Sequence, residues 1–342
     1  MIISGEKLGR LTDVMRIVSA VLIFYYHAGI YVCLPLSAYG DFAVNTFIIL
    51  AIVATFAFSR AGEQPGFAAY MWSRVKRIFP MYISINLVIF AASYVYPSRL
   101  GQPFTGRQFM FSSLALSQLF NQRFLSEVFW FVPFILQVYV IIALLRRHLM
   151  RLHWPAFFII AFAISALEIS LLAQVMGDAL IETRKWSPLL RLPEFGFGVI
   201  TAALLARAVT GRAFIFYVAI YGLLAVLLAC VGSAIPNARY LFMLPLNGLI
   251  VTIAIAITSA LLLFVIERVS ISTSALRSAG RATFPFFLIH GIGLRFVDAR
   301  WHSQTAAWLA YLFACMVAAV ALEFMFGAAF ARKPVLQSAG TP

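Results

Sequence analysis

Charged residues are scarce in this sequence. Asp, Glu, Lys and Arg make up 11% of its 342 residues, whereas soluble proteins carry about 25%. Hydrophobic residues make up 63%, and apolar runs close to the ~20 residues needed to cross a bilayer recur from end to end. The scarcity of charge excludes a soluble protein and predicts an all-α polytopic membrane protein.

Acidic residues are scarcer still. Only 12 Asp and Glu residues stand against 26 Lys and Arg residues, so the net charge is +14. Nucleic-acid-binding proteins gather such charge on one domain or face. Here the basic residues are scattered between apolar runs, as in membrane proteins whose positive loops lie near anionic lipid. We therefore expect the lipid bilayer, and not nucleic acid, as the partner of these charges.

Cysteine is also rare, and long polar stretches and internal repeats are missing. The three cysteines lack metal-ligand spacing, so we expect packing residues, no metal site and no tightly bound cofactor. The first apolar run contains Asp13 and Arg16 and lacks a clear cleavage site, which favours a retained helix over a signal peptide. Residues 1–342 are expected to form a single transmembrane domain, with a helical core over about 11–330 and no separate soluble domain.

The apolar runs predict about ten transmembrane helices, at roughly 12–32, 41–59, 79–96, 128–145, 155–176, 192–208, 212–231, 241–266, 282–298 and 304–330. With the N-terminus inside, sixteen Lys and Arg residues fall in inner segments and nine in outer segments. The positive-inside rule then predicts that both termini are cytoplasmic. A further apolar run, residues 108–120, is too short to span comfortably and is expected to be interfacial or re-entrant.

Ionisable residues inside the first predicted helix are unusual, because each costs a few kcal/mol at bilayer depth and normally faces a partner or a wet cavity. Asp13, Arg16 and His27 share one helix face, and Asp13 can pair with Arg16 at i, i+3. His27 lies about 16 Å further along the axis. From the helix alone, two interpretations stay open: a functional polar track, or Arg16 reaching to the interface beside Asp13 with His27 as a packed core histidine.

A basic cluster, Arg74, Lys76 and Arg77, precedes Pro80, which we expect in the first turn of the third helix. Arg74 and Arg77 are at i, i+3, so both guanidinium groups can share a face if the helix begins early. Such groups bind phosphate, and a helix N-terminus adds its own positive end. The alternative interpretation is a simple positive-inside anchor.

Two more ionisable residues lie within predicted helices, in the half that contains His27. His290 is in the middle of the ninth helix, at a depth comparable to that of His27. Glu194, at the start of the sixth helix, adds a carboxylate. A lone histidine within the membrane is a weak signal, whereas two at one depth favour a shared environment.

These segments together resemble the integral-membrane acyltransferase-3 family, whose members O-acylate cell-surface and exported glycans. The resemblance covers roughly residues 10 to 330 and rests on four patterns: an Arg and a His separated by ten residues, an Arg-x-x-Arg-x-x-Pro-x-Tyr motif, a Trp…Gln-x-Tyr pattern and a Gly-x-x-Thr…Leu-x-His pattern. In this sequence they are Asp13, Arg16 and His27; Arg74, Arg77, Pro80 and Tyr82; Trp130, Gln137 and Tyr139; and Gly280, Thr283, Phe287, Leu288 and His290.

The resemblance implies roles for these residues. Arg16, with Asp13, and His27 are expected to be catalytic, His27 as a general base or a transient acyl carrier. The phosphates of a cytosolic acyl-CoA, most often acetyl-CoA, are expected to contact Arg74 and Arg77, with Lys76. The remaining candidates line the active site: Tyr82, Trp130, Tyr139, Glu194 and His290.

The sequence departs from the family pattern at two places. Ala51 and Ile52 stand where many members have Ser-Gly. Ile135 and Leu136 stand where one large subgroup has two glutamates. The substrate of that subgroup is therefore not carried over to this chain.

The implied activity is transfer of an acyl group from acyl-CoA to a hydroxyl of a cell-surface or exported glycan, or of its lipid-linked precursor. The implied location is the bacterial cytoplasmic membrane. The competing class is a transporter or flippase for a glycan or another hydrophilic substrate, which a polar helix face and basic inner loops also fit. Against a transporter, the sequence has no internal repeat and no paired helices interrupted by Gly or Pro.

Overall fold

A computed structural model describes residues 5–32, 36–57, 66–97, 102–120, 122–149, 156, 159–168, 170–171, 187–205, 210–232, 239–269, 271–293 and 305–330. Every regular element in these ranges is helical, which confirms the all-α fold. The α-helices are α1 (Gly5–Val32), α2 (Ala43–Ala57), α3 (Phe67–Val95), α4 (Gly106–Ser113), α5 (Phe131–Leu149), α6 (Ile159–Glu168), α7 (Leu192–Leu205), α8 (Gly211–Gly232), α9 (Arg239–Arg268), α10 (Thr273–Gly293) and α11 (Thr305–Phe330). Short 3-10 helices, Ser37–Phe42 and Glu127–Trp130, precede α2 and α5.

Four of the described helices are long and apolar enough to cross a membrane: Phe67–Val95, Gly211–Cys230, Pro245–Arg268 and Ala306–Phe326. Their outer surfaces carry large apolar side chains that are more than half exposed, such as Leu227, Leu261 and Phe324. Such a surface suits lipid, where a helix satisfies its own backbone hydrogen bonds. The surface is that of an integral membrane protein, while the count of ten spans and the orientation of the termini stay predictions.

Two helices begin earlier than the sequence predicted. Helix α3 begins at Phe67 and not near residue 79, so Pro80 lies inside the helix and not in its first turn. Helix α10 begins at Thr273 and not near residue 282. Hydropathy marks the start of an apolar run, but a basic segment before that run can be helical as well. The interior Pro80 is compatible with this longer helix, because membrane helices tolerate an interior proline. Of the predicted fifth helix, only the part in α6 and a few nearby residues lies within the described residues.

The segment 108–120 does not form a spanning helix. Helix α4 has eight residues and begins with a capping box, in which the Thr105 hydroxyl accepts a hydrogen bond from the Gln108 amide. Its rise of about 12 Å is far below the ~30 Å of a bilayer core. The Ser112 hydroxyl donates to the Asn86 side-chain oxygen at 2.7 Å and ties α4 to α3. The prediction of a short, non-spanning segment is confirmed.

The packing brings five helices around one space. Helix α1 packs against α2, α9 and α10, and α10 also contacts α3 and α11. Helix α5 contacts both α2 and α3. The faces of α1, α2, α3, α5 and α10 that meet in this way line the cavity described next.

Candidate functional site

Helix α1 contributes an ion pair to the site. Arg16 Nη1 donates to Asp13 Oδ1 at 2.8 Å, which is the i, i+3 pair that the sequence predicted. Helix α10 approaches this pair closely at Gly280, where an added Cβ would lie 2.7 Å from the Asp13 Cβ and Oδ1 atoms. The Thr283 hydroxyl donates to the Gly280 carbonyl at 2.8 Å. The Gly-x-x-Thr pattern therefore allows α10 to pack directly on the Asp13–Arg16 pair.

Helix α3 contributes two arginines. The Arg74 guanidinium lies between two aromatic rings, 4.8 Å from the Tyr70 centroid and 5.0 Å from the Tyr139 centroid. The Arg74 Nε atom is buried and has no hydrogen-bond partner. Because Arg77 follows Arg74 by three residues, both side chains reach the same space. They lie well past the first turn of α3, so the positive end of the helix dipole does not act on them as predicted.

The arginines of α1 and α3 meet in a cavity of about 110 Å³. Its polar lining comes from Arg16, Arg74, Arg77 and Tyr139, together with the Gly280–Thr283 turn of α10. The remaining walls are apolar: Phe47, Leu50, Ala51, Ala54, Ile78, Phe131, Ile135, Phe284 and Phe287. Guanidinium groups that converge between apolar walls bind an anion more strongly than they would in open water.

Both departures from the family pattern contribute to these walls. Ala51 and Ile135 line the cavity, so apolar side chains stand where related sequences carry a serine or a glutamate. No carboxylate is among the described lining residues, and Asp13 is the acidic group that directly bonds a lining arginine. The cavity therefore has an excess of positive charge.

Lys76 does not line the cavity, although the sequence grouped it with Arg74 and Arg77. Its ammonium group lies 5.6 Å from the Trp72 ring centroid, and both side chains are exposed. Two residues correspond to about 200° on a helix, so Lys76 points away from the face that carries Arg74. Helical geometry alone accounts for this placement of Lys76, and its role in donor binding stays a prediction.

The two predicted histidines are brought together. The ring centroids of His27 and His290 are 5.1 Å apart, although the residues lie on different helices. His290 is fully buried, its Nδ1 lies 3.3 Å from the Phe286 carbonyl oxygen, and its Nε2 has no hydrogen-bond partner. The Tyr311 hydroxyl donates to the His290 carbonyl. Neither histidine lines the arginine cavity.

Three phenylalanine rings line the end of the cavity that is nearest the histidine pair. On α2, α5 and α10 the lining residue nearest the histidine end is a phenylalanine: Phe47, Phe131 and Phe287. The Phe131 and Phe287 rings are 4.6 Å apart, and Phe287 lies 5.4 Å from His290. We call the rings of Phe47, Phe131 and Phe287 the aromatic layer.

Two predicted lining residues instead pack elsewhere. Tyr82 is fully buried, and its ring stands edge-on to Phe129 at 5.2 Å. Trp130 packs against Phe131 and Phe134, each about 5.9 Å away. Neither lines the cavity, whereas Tyr139 does. Bulky aromatic side chains on inner helix faces fill core space, and this is what Tyr82 and Trp130 do.

Glu194 also lies outside the cavity. It pairs with Arg191 at 3.5 Å, and both side chains are about 1% exposed. Arg191 donates in addition to the Asn45 side-chain oxygen on α2. The i, i+3 spacing of Arg191 and Glu194 in the sequence is the signal that predicts this pair. The pair joins α7 to α2 inside the bundle.

Among the described residues, no group of three His, Cys, Asp or Glu side chains could hold a metal ion.

Comparisons with known proteins bear on the whole of this arrangement. No curated protein and no solved structure matches the chain. A family model described as an acyltransferase domain, that of the acyltransferase-3 family, matches residues 12–327. This match contains the arginines, the histidine pair and the aromatic layer, and the chain belongs to the acyltransferase-3 family, a family of membrane acyltransferases.

Proposed function

We propose that the protein is a membrane O-acyltransferase that moves an acyl group, most often acetyl, from acyl-CoA to a hydroxyl of a cell-surface or exported glycan or its lipid-linked precursor. The observation that carries the proposal is the convergence of Arg16, Arg74 and Arg77 in one cavity with apolar walls. Such a site fits a ligand with phosphate groups and an apolar or thioester arm.

The proposal places the protein in the bacterial cytoplasmic membrane, with about ten spans and both termini in the cytoplasm. In this orientation the arginine cavity opens toward the cytosol, where acyl-CoA is made, and the histidine pair lies toward the outer side. Acyl-CoA is then a cosubstrate, and no cofactor is retained between turnovers.

The size of the cavity limits what it holds. Sites for drug-sized ligands measure about 300–1,000 Å³, whereas this cavity has about 110 Å³. It therefore takes only part of the donor, such as the diphosphate and the adjoining arm. Arg74 and Arg77 bind the phosphate oxygens, and Arg16, oriented by Asp13, positions the pantetheine arm that leads to the thioester.

Transfer is proposed at His27. As a general base, one imidazole nitrogen takes the proton of the acceptor hydroxyl while that oxygen attacks the thioester carbonyl, and the proton then passes to the departing CoA thiolate. As an acyl carrier, the imidazole itself attacks the thioester and later yields the acyl group to the hydroxyl. A carrier releases one equivalent of CoA before any acceptor is added, whereas a base releases none.

The aromatic layer lies across the proposed route. In this proposal the donor arm reaches His27 once Phe131 and Phe287, whose rings are 4.6 Å apart at the histidine end of the cavity, move apart. Opening of packed aromatic rings is a conformational step of the kind that sets the rate of many enzymes.

Donor binding is the first test of this proposal. Acetyl-CoA is expected to raise the Tm of the purified protein, and sodium acetate at the same concentration is expected to leave it unchanged. The Arg77→Gln variant should lose this shift, whereas Lys76→Gln, which removes the same charge from the other face of α3, should keep it. Equal shifts with both variants would contradict the proposed donor site.

Acyl transfer is the second test. A deletion strain complemented with His27→Ala or Arg16→Ala is expected to contain normal amounts of protein but at least ~100-fold less O-acetyl group on its surface polysaccharide, measured by NMR. Full acetylation by His27→Ala would overturn the role of His27. Loss of the polysaccharide itself, with no acetyl turnover by the wild type, would support the transporter class.

A further inference from the structure

One face of α10 continues from the cavity to its mouth. Arg277, Gly280, Phe284 and Phe287 are at positions i, i+3, i+7 and i+10, which share a helix face. The last three of these residues line the cavity. Arg277 lies one turn nearer to Thr273, where its side chain is exposed. Arg277 therefore lies next to the cavity-lining residues of α10, at the end of the cavity opposite to Phe287, and we call this end the mouth of the cavity.

The charges at this mouth do not balance. Arg277 and Arg281 both lie within electrostatic range of the Asp13 carboxylate, which Arg16 already bonds. Arg281 Nε is 3.2 Å from Glu323 Oε1. The Glu323 carboxylate also lies within electrostatic range of the Arg77 guanidinium. Among the described residues, these interactions relate two carboxylates to four guanidinium groups, those of Arg16, Arg77, Arg277 and Arg281, while the Glu6 carboxylate accepts from the Thr273 hydroxyl one turn before Arg277.

An acyl-CoA carries its phosphates at two places. Its diphosphate adjoins the pantetheine arm, and its 3′-phosphate lies on the ribose, further from the thioester. The cavity of about 110 Å³ cannot hold both groups together with the arm. If the cavity arginines bind the diphosphate, the ribose phosphate lies outside them, at the level of Arg277 and Arg281.

We propose that Arg277 and Arg281 form a second anion subsite, at the mouth of the cavity, that binds the 3′-phosphate of the acyl donor. This subsite rests on the proposed function, because it assumes an acyl-CoA donor. It assigns a recognition role to the basic start of α10, which would otherwise serve as a membrane anchor. Glu323 competes with the phosphate for Arg281.

The test compares two donors, acetyl-CoA and acetyl-3′-dephospho-CoA, by measuring release of the free thiol in proteoliposomes of one fixed lipid composition, with the glycan lipids of the native membrane supplied as acceptor. With the wild type, loss of the phosphate is expected to raise KM about three- to tenfold, as for a charge-assisted contact at a partly exposed site. Arg277→Gln should raise the KM for acetyl-CoA by a similar factor. For this variant, removal of the phosphate should then have little further effect.

Three other variants sharpen the test. Arg268→Gln is the matched control, because Arg268 lies over Phe264 at the same end of the molecule, next to the Glu267 that pairs with Arg10. It removes the same charge and should keep the full dependence on the 3′-phosphate. Arg277→Lys should retain part of the dependence. Glu323→Gln should lower the KM for acetyl-CoA only.

The outcomes separate the subsite from the proposed function. If Arg277→Gln raises the KM of both donors by the same factor, the losses are additive and the subsite is wrong, although the protein uses acyl-CoA. If Arg268→Gln abolishes the dependence on the phosphate as well, the effect is one of surface charge, and the subsite is again wrong. If the wild type releases the free thiol from neither donor, the proposed function itself fails.

Discussion

Arg74 is held by its neighbours before any ligand arrives. The rings of Tyr70 and Tyr139 flank its guanidinium, and the Tyr70 hydroxyl lies 3.2 Å from the Thr55 hydroxyl, which fixes that ring. A cation–π contact of this kind is worth about 0.5–2 kcal/mol. A guanidinium that is already oriented loses less freedom when it binds an anion, so under the proposed function Tyr70 supports donor binding without lining the cavity.

Removal of the Tyr70 ring should weaken donor binding through Arg74. Tyr70→Leu is expected to raise the KM for acetyl-CoA about three- to tenfold while kcat changes little, since the cation–π contact of about 0.5–2 kcal/mol is lost. Tyr70→Phe keeps the ring and loses only the hydroxyl contact, so its KM should stay close to that of the wild type. If both variants raise KM alike, the hydroxyl and not the ring supports Arg74.

Some of these residue-level contacts could be predicted and others could not. The Asp13–Arg16 pair and the shared face of Arg74 and Arg77 follow from helical spacing. The same spacing places Lys76 on a different face of α3 from Arg74. The partner of Arg191 on α2 does not follow, because it lies 146 residues away in the chain. The contact between His27 and His290 likewise depends on how α1 and α10 pack.

At the scale of helices, the approach of α1 to α10 determines whether the site can form. At Gly280 the backbone of α10 lies so close to Asp13 that any added side-chain atom would overlap it. Because the nearest atom is the Asp13 Cβ, which is fixed to the α1 backbone, the two helices would have to move apart. Gly280 is therefore required for packing at the exact level of the Asp13–Arg16 pair.

Alanine substitutions at two helical glycines should have opposite effects. Gly280→Ala is expected to lower the free energy of unfolding by about 1–3 kcal/mol, because the Cβ overpacks the contact. Gly222→Ala in α8 is the control: nothing lies within 4 Å of its added Cβ, so it should be neutral or more stable by about 0.5–1 kcal/mol. Thermal unfolding in one detergent measures both. A Gly280→Ala protein as stable as the control would contradict the close packing.

Helix positions were easier to predict than helix starts. Apolar runs in the sequence gave the positions of α1, α2, α8, α9 and α11 to within several residues. The starts of α3 and α10 were missed because both begin with basic segments, and hydropathy measures burial in lipid and not hydrogen bonding of the backbone. The predicted starts were therefore wrong in the part of each helix that carries the arginines.

At the scale of the whole molecule, the arginine cavity and the histidine pair are two separate centres. The arginines gather at the Gly5 end of α1 and the Thr273 end of α10, and the histidine pair lies toward the opposite ends of these helices. Under the proposed orientation, the first centre faces the cytosol and the second faces the acceptor. Which of the two centres meets the donor and which meets the acceptor therefore depends on the orientation of the chain in the membrane.

Labelling of single cysteines tests this topology. In a variant without Cys33, Cys230 and Cys315, a cysteine is placed at Gln102 or at Ser272, both of which are exposed. A membrane-impermeant maleimide should label Gln102→Cys in intact cells and Ser272→Cys only after permeabilisation. The reverse pattern would invert the proposed orientation and place the arginine cavity on the outer side.

The aromatic layer has a consequence for the cell as well as for the reaction. A water-filled path lined by Asp13, Arg16 and the two histidines would let protons leak down the membrane potential, which is worth about 2.3 kcal/mol per charge at 100 mV. The packed rings of Phe131 and Phe287 lie at the histidine end of the cavity, where such a path would continue. Under the proposed function, the rings that must move apart for the donor arm would therefore also limit the leakage of protons through the protein.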